Sequence, residues 1–226
     1  MPTTSLAEPT LSLREQYDRD GYLHVPRVFS GDLLEILTRE VDRHCADVGA
    51  SHRGAWQGPW LSQTDQVAMT TVHLLHMLSW TWYAALISPV MRGPVMAVLG
   101  VPDVQLHRAS ILAKPPGNGS PFPMHQDGAY FENLPARYVN AVVYLDDMTP
   151  ENGPLRFLPG SHRNGLIPHL TEGKKHLPLD QYPIEAGESV LANAGDVVLF
   201  SPWTVHGSMP NRSQMVRRTV RVGYGA

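Results

Sequence analysis

The sequence predicts a helical N-terminal layer packed on a β-sandwich or barrel of about eight strands, an α+β to mainly β architecture. Three observations predict it. Before Gly100, apolar residues recur at helical spacing. After Gly100 they gather in short runs, VQLHRASILA (104–113), YVNAVVYL (138–145), GDVVLF (195–200) and RRTVRVGY (217–224). Those runs are separated by turn-forming clusters, PPGNGSP, PENGP, PGSH and PNRS, the pattern of short antiparallel strands. At 226 residues the chain is read as one domain, with 1–100 mainly helical and 101–226 forming the β core.

Taken in order, Ser30 is placed to cap a helix carrying Asp32 in its first turn, with Leu33, Leu37, Val41 and Cys45 on one stripe and Gly49 ending it. The stretch GAWQGPWLSQ (54–63) reads as a functional loop or lid, because Trp56 and Trp60 sit among glycine and proline. Residues 66–91 hold no Asp, Glu, Lys or Arg, but nine polar or proline positions interrupt them. A membrane span needs about 20 predominantly apolar residues, so a buried helix with Leu74, Leu78 and Trp82 on one stripe is expected instead. In a strand over 104–114, Arg108, Ser110, Leu112 and Lys114 share one face, and His107, Ala109, Ile111 and Ala113 the other.

Composition narrows the function classes. A net charge of −3 with scattered arginines offers no basic field for nucleic acid. The single cysteine, Cys45, excludes an intramolecular disulfide and a cysteine-based zinc site. MPTTSLAEPTLSLREQ has neither a basic n-region nor an apolar h-region, so a cytoplasmic location is expected.

The candidate site begins at PMHQDGAY (123–130). In an extended chain, His125 and Asp127 point to one side and Gln126 to the other. His-x-Asp alone is weak evidence in a chain with 11 histidines. A third donor would come from His162, His169, His176 or His206. His162 suits a turn, and His169 and His176 a solvated loop. His206 follows an apolar run and opens HGSMPNRSQMVRR. Two histidines and one carboxylate leave adjacent positions open on iron(II), as oxygen chemistry requires, whereas a structural zinc would have four positions filled.

HQDGAY, YLDD…ENGPLRFLPGSH, GDVVLFSPWTVHGSMPNRS and the following Arg217–Arg218 pair, in this order, resemble the phytanoyl-CoA dioxygenase (PhyH-like) family, as does DRDGYLHVPRVFS near the start. The resemblance implies a double-stranded β-helix (a cupin-like jelly roll). It also implies an oxygenase that uses iron(II), 2-oxoglutarate and O2 to hydroxylate a small-molecule substrate, releasing succinate and CO2. It makes His125, Asp127 and His206 the metal ligands. Arg217, eleven residues past His206, becomes the co-substrate arginine, supported by Ser208 and Asn140. Iron halogenases of this kind replace the carboxylate with Ala or Gly. Asp127 therefore implies hydroxylation.

The physics suits these assignments. Sheets packed about 10 Å apart leave room for a five-carbon diacid, and a guanidinium binds its far carboxylate bidentately. Strand alternation forces Arg217 and Arg218 to opposite sides, and Arg218 is read as a surface or structural charge. Tyr130, Phe131, Arg108 and Trp203 are candidates for the substrate pocket, each with core packing or a solvated edge as its plain alternative. Two rival functions stay open: a cupin-like metal enzyme without 2-oxoglutarate, such as an isomerase or another dioxygenase, and a metal-free jelly-roll binding module.

Overall fold

The computed structural model describes residues 11–48, 52–53, 68–131, 133–171 and 174–226. The expectations for Gly49 and for the Trp56–Trp60 loop lie outside the described residues.

Helix α1 (Leu13–Asp20) starts in a capping box, in which the Ser12 hydroxyl accepts from the Glu15 amide and the Glu15 carboxylate accepts from the Ser12 amide. It stops at Gly21, whose φ of 79° and whose contact with the His162 ring leave no room for a Cβ. Strand β1 (Tyr22–Val25) follows, then α2 (Gly31–Val48), which buries Leu37 and Val41 and leaves Leu33 exposed.

The charge-free segment forms strand β3 (Ala68–His73), paired with the short β2 (His52–Arg53), then α3 (Leu75–Leu78), α4 (Trp80–Leu86) and α5 (Pro89–Leu99). The single helix expected there is therefore corrected. Leu74 takes a left-handed conformation (φ 57°) that separates strand from helix, and Leu74 and Leu78 are exposed. Only Trp82 of the expected stripe is buried, with its indole N–H donating to the Leu37 carbonyl at 3.2 Å. No single helix among the described residues is long and apolar enough to cross a membrane.

Beyond Gly100 lie the eight expected strands: β4 (Gln105–Lys114), β5 (Phe122–His125), β6 (Tyr138–Tyr144), β7 (Leu155–Phe157), β8 (Glu188–Ser189), β9 (Val197–Phe200), β10 (His206–Ser208) and β11 (Arg217–Gly225). They form two antiparallel sheets, ordered β1-β9-β6-β11-β4-β3-β2 and β5-β10-β7-β8. The N-terminal half thus supplies strands at both edges of the larger sheet, which the helical reading of 1–100 missed.

The larger sheet is buried on both faces, with different contents. Its outer face, including Ala109, Ile111, Val139, Ala141, Val143, Val220 and Val222, packs against Leu37, Val41, Trp82, Leu86 and Val95 of the helices. Each Val, Leu or Ile among them contributes about 1.5–3 kcal/mol by leaving water. Alternation then turns Leu112, Lys114, Val142, Arg217, Thr219 and Arg221 inward to the smaller sheet. The helices hold that sheet rigid from behind while its inner face carries the polar groups.

Candidate active site

His125 ends β5 and His206 starts β10, and the two are paired across neighbouring strands, 81 positions apart in sequence but with ring centroids 4.3 Å apart. Each ring is oriented by its backbone. His125 Nδ1–H donates to the Pro123 carbonyl at 2.8 Å, and His206 Nδ1–H to the Thr204 carbonyl at 2.9 Å. Both Nε2 lone pairs are thereby free to face Asp127, whose Oδ1 lies 3.6 Å from His125 and 3.9 Å from His206. One ligand atom from each of the three residues falls within 4.8 Å of the others.

Asp127 opens a 3-10 turn (Asp127–Tyr130) instead of continuing the strand; the extended Gln126 still brings it to the side of His125. Gln126 is completely buried and fastens this turn. Its amide donates to the carbonyls of Gly165 (2.8 Å) and Trp203 (2.6 Å), and its Oε1 accepts from the Ile167 amide at 2.8 Å. His169, read from sequence as solvated, accepts from the Gln126 backbone N–H at 2.9 Å and donates through Nδ1 to the Ile167 carbonyl. The Gln126→Ala variant removes three hydrogen bonds to the backbone of Gly165, Ile167 and Trp203. It is expected to lose roughly 2–4 kcal/mol of stability and about 10–100-fold in metal affinity, as read by urea denaturation and metal titration. An unchanged metal affinity would contradict this supporting role.

The electrostatics favour a cation between these three residues. Burial alone would raise the Asp127 pKa, but the Arg221 guanidinium beside it outweighs this and holds the carboxyl well below the usual range. His206 is pushed down to about 4 by burial and by the neighbouring His125 ring, against the opposing pull of Asp127 and the Thr204 carbonyl. It is therefore neutral and free to donate its lone pair near pH 7. Because the unfolded histidine takes its proton near 6.5 and the folded one near 4, acid favours unfolding across that window. The metal-free protein is expected to lose about 2 kcal/mol between pH 7 and pH 5 from this group. Denaturation at the two pH values checks this, and the loss should disappear in His206→Gln.

Across the cavity, Arg217 and Lys114 are directly paired on β11 and β4, and both are buried. Among the described residues no carboxylate forms an ion pair with either, and Arg217 Nε has no hydrogen-bond partner. Lys114 Nζ donates to Ser208 Oγ at 2.8 Å and to the Met209 carbonyl at 2.7 Å. Burial, with the like charge of Arg217 added, drives the Lys114 pKa well down. Two adjacent buried cations without an anion are costly, and a bound carboxylate relieves both. Arg218 faces the other way, held by Asp146 and Asp42, as alternation requires. Ser208, Arg217, Thr219 and Arg221 line one cavity with the His–Asp–His cluster, and Phe200, Val142 and Leu155 complete its apolar wall.

The pattern of the phytanoyl-CoA dioxygenase (PhyH) family matches residues 17–219. The chain belongs to that family. Curated relatives of this PhyH chain include ectoine dioxygenase of Stutzerimonas stutzeri (strain A1501), 28% identical over 226 residues, covering 91% of this chain and 73% of the relative. Methylphosphonate hydroxylase of Gimesia maris is 34% identical over 223 residues, covering 96% and 81%. Among solved structures, the epimerase SnoN in complex with Fe3+, alpha ketoglutarate and nogalamycin RO aligns with a TM-score of 0.75 at 25% identity, covering 94% and 82%. The carbocyclase SnoK aligns with a TM-score of 0.76 at 24% identity over 96% and 84%. The fold of the PhyH chain is the double-stranded β-helix expected from the resemblance.

Not every residue singled out in this PhyH chain joins the cluster. Asn140 is buried, but it pairs with Gly223, six positions along β11 from Arg217. That is about 20 Å at strand rise, so it does not share the carboxylate pocket. Trp203 packs its ring against Gly128, where a Cβ would come within 2.3 Å of it. It lines a separate cavity with Tyr17, Leu99 and Arg137, and so supports the Asp127 turn from behind. His162 bonds the Asp18 carbonyl, consistent with its turn reading.

Tyr130 and Phe131 do wall an open cleft of about 400 Å³ that reaches His125 and Asp127. Tyr130 meets the His125 ring edge-on at 5.9 Å. Arg108 stacks on Phe131 at 3.8 Å, beside a recess it shares with His73, His107 and Arg221. Lys114, on the same face of its strand as Arg108, is wholly inside. Arg221 was missed, although it is the next inward arginine after Arg217 by the same alternation.

Proposed function

We propose that this chain is an iron(II)- and 2-oxoglutarate-dependent oxygenase that hydroxylates a small molecule, with His125, Asp127 and His206 holding the metal. One observation carries the proposal. A His–Asp–His cluster with both Nε2 atoms turned inward faces, across a single cavity, buried Arg217, which is paired with Lys114 and has no carboxylate partner among the described residues. The donor set is of the type that leaves adjacent positions open on iron(II). The orphaned Asp127 Oδ2 and Arg217 Nε are buried polar atoms that a metal and a carboxylate, respectively, would satisfy.

When bound, iron(II) with 2-oxoglutarate and O2 supplies the C–H oxidising chemistry and yields succinate and CO2. The chain's own residues supply position and shielding. Arg217 and Lys114, with the Ser208 hydroxyl, anchor the far carboxylate of the co-substrate. Phe157 and Phe200 pack on the His206 ring (5.8 and 4.6 Å) and keep water from that side. The cleft walled by Tyr130 and Phe131 admits the substrate. The named reactions of relatives, on ectoine, proline and methylphosphonate, support a small polar substrate. The single half-buried Cys45 accords with a cytoplasmic setting.

Incubation of the iron-loaded protein with 2-oxoglutarate and a panel of small metabolites tests the proposal. Succinate formation stimulated by at least one compound is expected. Iron uptake without any 2-oxoglutarate consumption would favour the cupin-like alternative, for which the buried Lys114–Arg217 pair has no use. Absence of iron uptake would favour a binding module.

A further inference from the structure

We infer that the substrate is a small organic acid whose oxyanion head group is bound by Arg221, an inference that rests on the reading of the site given above. Arg217, Thr219 and Arg221 point inward from one strand, so the two arginines stand four positions apart, about 13 Å at strand rise. Arg217 is paired with Lys114 at the closed end of the cavity. Arg221 reaches the opposite side, where Nη1 donates to Asp127 Oδ1 at 3.3 Å and the side chain lines the open cleft as well. A dicarboxylate anchored at Arg217 leaves this second guanidinium without an anion of its own.

The charges around Arg221 sharpen the assignment. Among the described residues its one ion-pair partner is Asp127, and its Nε is buried with no hydrogen bond. A metal on Asp127 draws off the charge that now compensates Arg221. Among the described residues, the cleft's other charged wall is Lys174, half-buried with its ammonium 5.8 Å from the Phe122 ring. Arg108 stands in the adjoining recess. A cleft with these cations, whose described lining has no acid besides the metal-binding carboxylate, takes an anion, and a guanidinium takes a planar or tetrahedral oxyanion best. Met69, Leu112, Phe122 and Phe131 offer the rest of the molecule an apolar surface.

Position follows from the same contact. An oxyanion at about 2.8 Å from Arg221 sets its adjoining carbons next to Asp127. The oxidised carbon is therefore one or two bonds from the acid group. Carboxylates and phosphonates share this chemistry, and the experiment separates them.

The test uses manganese(II) in place of iron, so that nothing turns over, with 2-oxoglutarate at saturation so that Arg217 is occupied. Methylphosphonate, butyrate and neutral butyramide are titrated by calorimetry. At least one anion is expected to bind tenfold or more tighter than butyramide, and the tighter anion tells phosphonate from carboxylate. In Arg221→Gln, titrated at a manganese concentration that saturates the variant, that preference should disappear while 2-oxoglutarate affinity stays within about threefold. Arg221→Lys should keep part of it, and Lys174→Gln, on the rim, should weaken it less. Equal binding of butyramide, no binding of either anion, or anion binding unchanged in Arg221→Gln overturns the inference alone. Loss of 2-oxoglutarate in Arg221→Gln also overturns it, by assigning the guanidinium to the co-substrate. Failure of the wild-type protein to take up 2-oxoglutarate overturns the co-substrate reading and this inference with it.

Discussion

Arg217→Ala is expected to weaken 2-oxoglutarate binding by two to three orders of magnitude while leaving metal binding in place. The guanidinium is buried, paired with Lys114 across the strands and free of any carboxylate among the described residues. Each charge-assisted hydrogen bond to a carboxylate contributes about 1.5–3 kcal/mol, and the planar fork makes two. Their joint loss of about 3–4 kcal/mol is roughly a 10²–10³-fold weakening.

Arg218→Ala is the matched control. Its side chain lies on the other face with Asp146 and Asp42, so stability should fall while co-substrate affinity holds. Equilibrium titration of 2-oxoglutarate into both variants separates the two. Equal losses would mean that the cavity-facing arginine has no special part.

Asp127→Ala should abolish turnover by removing the metal. The carboxylate is the acidic member of the His–Asp–His cluster and is held ionised by Arg221. Groups that merely orient metal ligands cost about 10–100-fold when removed, so loss of the ligand itself should exceed about 100-fold in metal affinity. The substitution also leaves Arg221 without its acid partner. Metal titration of the variant is the check, and a wild-type affinity would mean that the cluster is not the metal site.

Much of this site was legible because it is encoded locally or by alternation. His125 and Asp127 are two residues apart, and any extended residue between them brings their side chains together. Arg217 and Arg218 must diverge on a strand, and their different burial follows. The apolar runs after Gly100 gave the strands because each has to be covered on at least one face.

What was not legible depends on partners far apart in sequence. Lys114 looks like an edge residue until β11 places Arg217 beside it, 103 positions away. Gln126 and His169 acquire their roles only when the 161–170 segment folds over the Asp127 turn. The 66–91 stretch misled because a lack of charge separates neither strand from helix nor buried from exposed: Leu74, Met77, Leu78 and Trp80 are all exposed. β3 lies in the sheet between β4 and β2 and alternates only in part, and its exposed His73 leads into Leu74, whose left-handed backbone turn no residue type announces. Trp203 and Asn140 share the inner region with the site but are directed away from it by one turn and by six residues of register.

The central claim is that a His–Asp–His cluster and a Lys114–Arg217 pair hold one ferrous ion and one 2-oxoglutarate together. Anaerobic titration of iron(II), then 2-oxoglutarate, into the metal-free protein tests it most directly, followed by visible absorbance. The account predicts one iron per chain and a metal-to-ligand charge-transfer band that appears only when 2-oxoglutarate is added. It predicts the same band in Arg218→Ala, and its loss in Arg217→Ala at wild-type saturating concentration. Iron uptake with no band at any 2-oxoglutarate concentration, or a band of full strength in Arg217→Ala, would contradict it.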